Sequence, residues 1–99
     1  MTDQQEQRNI EQMRAEVAFG LDVQQFMGTS MGRYLTARAN AEIEAAKSEL
    51  VDVDPEDHKA VRAIQNRAKV ASMFLDWMGE AVTTGEIAQA EWQAAAENN

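Results

Sequence analysis

Ninety-nine residues with 17 acids against 9 bases give a net charge of −8, and the chain holds five glycines, one proline and no cysteine. That length allows one modest domain, and the missing thiols exclude a disulfide framework, a thiolate zinc site and a cysteine nucleophile. The acidic balance opposes nonspecific binding to nucleic acid or to an anionic membrane, and no apolar run approaches the roughly 20 residues that span a bilayer.

Few glycines and many Ala, Glu and Gln predict an all-α protein. Residues 1–9 are polar and read as a flexible opening, with Thr2 or Asp3 available as a cap; they lack the features of a signal peptide. A single helical domain over 10–97 follows. Its first helix is predicted over 10–27, with Ile10, Met13, Val17 and Leu21 on one face and Phe19, Val23 and Phe26 on a neighbouring one. Gly20 weakens that helix by about 1 kcal/mol relative to alanine. Gly28 offers a left-handed end cap, and Thr29 or Ser30 a start for the next helix.

The second helix is predicted over 31–50, where Leu35, Ala39, Ile43, Ala46 and Leu50 share a face. Its alanines permit close approach to another helix. Asp54-Pro55-Glu56-Asp57 then combines a capping carboxylate with a proline suited to the first helical position, so the third helix is predicted over 55–83. Its apolar stripe, Val61, Ile64, Ala68, Ala71, Leu75, Met78 and Val82, advances in alternating steps of three and four, the pattern of a helix–helix seam. A short connection to the second helix predicts an antiparallel hairpin of 31–50 and 55–83. Thr83-Thr84-Gly85-Glu86 reads as a break with a capping box, followed by a short C-terminal helix.

A second stripe on the third helix, Val70, Phe74, Trp77 and Ala81 with Met73 beside it, exceeds what one partner helix needs. Either the first helix covers it, or Val70, Met73, Phe74 and Trp77 bind a partner or a second copy, since aromatic side chains dominate interface energetics. Lys59, Arg62, Asn66 and Lys69 fall on the face away from the seam, within a stretch of four bases and no acid. That face is read as solvated, or paired with the acids of a neighbouring helix or subunit; a phosphate-tracking role is the weaker reading.

Catalytic and metal constellations are absent from the pattern. Asp52, Asp54 and Glu56 start like a calcium loop, but Asp57 stands where such a loop needs glycine and Ala63 where it needs glutamate. His58 has no nucleophile to activate, because Ser30, Ser48 and Ser72 lie in no nucleophile elbow. No phosphate loop or di-metal Glu-x-x-His motif occurs. The expectation is no enzyme, no cofactor, no metal and no small-molecule substrate, with a protein partner or self-association instead.

Two stretches carry a resemblance. One is Phe26-Met27-Gly28-Thr29-Ser30-Met31-Gly32-Arg33-Tyr34-Leu35 with Arg38, Ala39, Glu42 and Glu44. The other is Val53-Asp54-Pro55-Glu56-Asp57 followed by Ala63-Ile64-Gln65-Asn66-Arg67 and Phe74-Leu75-Asp76-Trp77-Met78-Gly79-Glu80-Ala81. Together, over about residues 15–85, they resemble a group of small helical proteins encoded by tailed bacteriophages, often near structural genes. Those proteins carry Leu-Gln-Asn where this chain has Ile64-Gln65-Asn66, and amides inside a helix imply specific hydrogen bonds, for instance to the preceding turn. The resemblance implies a virion component or an accessory of head or tail assembly, in the cytoplasm of the infected bacterium or in the particle. It brings no catalytic or binding residue. The alternative is an acidic inhibitor that mimics nucleic-acid phosphates and binds a host nucleic-acid-processing enzyme.

Overall fold

The computed structural model describes the backbone of residues 2–98 and the side chains of residues 10–98. It is all-helical: α1 spans Thr2–Gly28, α2 spans Ser30–Asp52 and α3 spans His58–Glu97. No strand occurs among the described residues. The helix α1 begins at Thr2, ahead of the start expected at Ile10; of residues 1–9, read as a flexible opening, Met1 and all the side chains lie outside the described residues.

Local chemistry explains each boundary. Gly28 does not turn into the left-handed region, since no described glycine has a positive φ. Instead Thr29, extended at φ −74° and ψ 164°, accepts the Gly32 N–H on Oγ1 at 3.0 Å and caps α2. Pro55 cannot continue a helix and biases Asp54 before it towards extended backbone, so α2 ends at Asp52.

The third helix starts three residues later than its acids and proline imply. Asp54 builds a turn: its carbonyl accepts the Asp57 N–H at 2.9 Å and its Oδ1 accepts the Glu56 N–H at 2.9 Å. Asp57 then caps α3 by accepting the Ala60 N–H at 3.1 Å. Proline therefore sits inside the turn rather than in the first helical position.

The predicted break at Thr83–Glu86 does not occur. The helix α3 runs unbroken for 40 residues, and no separate C-terminal helix occurs among the described residues. Its seam continues in phase past Val82 through Gly85, Ala88 and Trp92, with Gly85 and Ala88 buried.

The chain divides into two compact units. Residues 29–77 form one, in which α2 and the first half of α3 bury Gly32, Ala39, Ala46, Ile64 and Ala71. Ala46 is 0% exposed, and no large side chain is fully buried among the described residues. Small side chains on the shared faces let helices approach closely and pack densely without bulk.

In the other unit, α1 packs with residues 78–98. The two helices touch through glycine: a Cβ built on Gly85 would lie 2.9 Å from the Glu16 carbonyl oxygen and 3.1 Å from the Gly20 Cα. A Cβ on Gly20 would lie 2.9 Å from the Ala81 carbonyl oxygen. Gly20 is thus the contact point of α1, which changes its inward face. Gly20 and Val23 are buried, while Ile10, Phe19 and Leu21, assigned to inner faces from periodicity, are 38%, 60% and 51% exposed. The seam expected to belong wholly to α2 is likewise divided, because Met78 and Val82 lie in the unit that holds α1.

Candidate functional site

In the unit of residues 29–77, the turn-linked α2 and α3 are tied by one side chain. Arg67 Nε donates to Glu42 Oε1 at 2.7 Å, and its Nη1 lies 2.8 Å from Glu49 Oε2. Glu42 and Glu49 stand two turns apart on α2, so a planar guanidinium placed between them spans both carboxylates. Arg38, one turn before Glu42, adds a contact at 3.2 Å.

The hydrogen bond from Arg67, followed by its charge, holds the Glu42 carboxyl below the usual carboxylate range, with Arg38 adding less and desolvation opposing. The same bonds, to Glu42 and then Glu49, raise the Arg67 guanidinium further. A depressed folded-state value means that Glu42 stabilises the fold above the unfolded glutamate pKa, about 4.3. That contribution is lost as pH falls through the lower folded value. The difference in Tm between the native chain and Glu42→Gln is therefore expected to be constant from about pH 7 to 5 and to shrink below about pH 4. A difference that grows on acidification would contradict this. The pair is partly open to solvent, which screens its contribution to stability.

Beside this ion pair lies an open groove of about 550 Å³ with Leu35, Ala39, Val70, Ala71 and Phe74 on its apolar lining and Arg38, Glu42 and Arg67 among its polar residues. Phe74 is half-buried there. The other candidates stand out in solvent: Val70 is 68%, Met73 46% and Trp77 57% exposed. They succeed one another by three and four residues, so they form one row on α3. The helix α1, one of the two covers considered for this row, is grouped with residues 78–98.

The basic stretch divides by role. Arg67 pairs with α2, whereas Lys59, Arg62 and Lys69 are exposed and make no ion pair among the described residues. Gln65 and Asn66 are exposed and show no side-chain hydrogen bond among the described residues. Their amides are open to solvent, and the intramolecular bonds expected of them are not made among the described residues.

In the other unit, the Arg14 guanidinium lies 5.1 Å from the centre of the Trp92 ring, within cation–π range. This contact and the glycine crossing escaped the sequence reading. Their only sequence signal is the continuation of the three–four spacing through Gly85 and Trp92.

No group of three or more His, Cys, Asp or Glu side chains able to hold a metal occurs among the described residues, and no described helix is long and apolar enough to cross a membrane. Comparison of the chain with family models, with curated proteins and with solved structures finds no match.

Proposed function

We propose that this chain is a non-enzymatic interaction protein whose contact surface is the row Val70, Met73 and Trp77 with Phe74 at its edge. The observation that carries the reading is their exposure: three apolar side chains at helical spacing on one helix face, at 68%, 46% and 57%. A contiguous apolar row of this kind, with a tryptophan in it, is the usual composition of a contact surface. Within the unit, α2 and α3 are read as an antiparallel hairpin that presents the row, a reading supported by the Arg67 bridge to Glu42 and Glu49.

The resemblance to small helical proteins of tailed phages supplies the setting: a virion component or an accessory of head or tail assembly, made in the cytoplasm of the infected bacterium. Mass spectrometry of purified particles tests it. The native chain is expected in the particles or their assembly intermediates, and Trp77→Ala is expected to reduce its incorporation; absence from both would sink the reading. The net charge of −8 favours a second reading, an acidic inhibitor that occupies the basic surface of a host nucleic-acid-processing enzyme. Such a protein would be missing from particles and would recover that enzyme in a pull-down.

A further inference from the structure

Extending the exposed row in both directions along α3 gives a face with an ordered charge pattern. The helix is continuous over His58–Glu97, so steps of three and four keep residues on one side of it. Before the apolar row this spacing meets Lys59, Arg62 and Asn66, with Lys69 adjoining Val70. After it come Glu80, Thr84, Ile87 and Glu91. All of these side chains are exposed, Ile87 at 55%. The face is therefore basic at its start, apolar in its middle and acidic at its end.

We infer that this face pairs with the same face of a second copy, the two α3 helices running antiparallel about a twofold axis. The proposal rests on the reading of Val70, Met73 and Trp77 as a contact surface and names the partner on it. In one antiparallel alignment the basic end of each copy meets the acidic end of the other and the apolar middles meet each other. With Met73 of one copy opposite Trp77 of the other, Asn66 stands opposite Thr84 and Lys59 opposite Glu91. Glu80 stands opposite Val70, within reach of the neighbouring Lys69. Ile87 falls opposite Ala63, beside the aliphatic stem of Arg62. Twofold symmetry makes each of these contacts twice. A parallel, in-register pair would instead set Lys59 on Lys59 and Glu91 on Glu91, so charge selects the antiparallel arrangement.

The overall charge of −8 on each copy opposes association. That repulsion is spread over the surface and is screened beyond about 8 Å at 0.15 M salt, whereas the facing pairs lie inside that distance. Apolar burial supplies the affinity and the charges supply the orientation.

The test uses the full chain in light scattering or sedimentation at about 0.15 M salt. The native chain is expected to move from 11.0 kDa to twice that mass as its concentration rises. Trp77→Ala is expected to raise the dimer dissociation constant about thirtyfold or more, the effect of losing a buried aromatic anchor. Two charge-reversed chains decide the geometry. Lys59→Glu with Lys69→Glu makes all four paired positions (59, 69, 80 and 91) acidic, and Glu80→Lys with Glu91→Lys makes all four basic, Arg62 being unchanged in both. Each alone is expected to self-associate about tenfold or more weakly than the native chain.

Mixed one to one, they restore every pair and are expected to form a heterodimer. Unchanged circular dichroism shows that the exposed substitutions leave the helices folded. A native chain that stays monomeric, reversed chains that dimerise as well as the native one, or a mixture without heterodimer each overturns the proposal. A monomeric chain that still enters particles, and fails to do so as Trp77→Ala, removes the second copy and keeps the interaction reading. A dimer absent from particles and their intermediates does the converse.

Discussion

Replacing Gly85 by alanine lowers the stability of this protein, and replacing Gly79 by alanine raises it. Both glycines lie in α3, six residues apart, and helix propensity favours alanine by about 1 kcal/mol at each. Surroundings separate them. A Cβ on Gly79 meets nothing within 4 Å, so the change only restricts the unfolded chain and gains about 0.4–1 kcal/mol. A Cβ on Gly85 meets the Glu16 carbonyl oxygen at 2.9 Å, and that oxygen belongs to helix backbone that cannot step aside. Overpacking at such a point costs about 1–3 kcal/mol, which outweighs the propensity gain. Gly85→Leu is expected to cost about 3 kcal/mol or more, a large share of the roughly 5–15 kcal/mol typical of a domain. Thermal denaturation followed by circular dichroism reads all three, at about 4–8 °C per kcal/mol for a chain of this size. A Gly85→Ala protein more stable than the native one would show that the crossing is looser than described.

Ile64→Ala is expected to cost about 2–4 kcal/mol, whereas Val51→Ala costs less than about 0.5 kcal/mol. Ile64 is 8% exposed in the unit of residues 29–77, and the next two seam positions, Ala68 and Ala71, are alanines that cannot expand to fill the space. Val51 lies near the end of α2 at 82% exposure. Denaturant titration of the two variants gives the comparison directly. Equal losses would mean that the seam around Ile64 does not hold the helices together.

The Val61–Val82 stripe was legible because helical periodicity is a local property, and the same is true of the row Val70, Met73 and Trp77. Exposure is not local. Which stretch of α3 meets α1 depends on residues far apart in sequence, and the close approach there is made by two glycines 65 residues apart, at positions 20 and 85. Read alone, Thr83-Thr84-Gly85-Glu86 carries a start signal and a helix-weakening glycine, so it predicts a break. Read with Gly20, Gly85 is the position where a helix must lack a side chain. The acids at 54–57 misled more narrowly: both Asp54 and Asp57 can cap, and Pro55 fits either a turn or a first helical position. Hydrogen-bond geometry selects Asp57. The Arg67 bridge was hidden because its carboxylates lie on another helix, where no spacing rule reaches.

The division of α3 between partners also bears on how the chain finds its fold. Bringing α2 to the first half of α3 closes only the connection of residues 53–57. Bringing α1 to residues 78–98 closes everything from 29 to 77, and for a flexible loop that longer closure costs about 2 kcal/mol more. A chain that has already folded residues 29–77 no longer has that loop to close. Chain entropy thus favours forming the turn-linked pair before the pairing of the first helix with the last stretch.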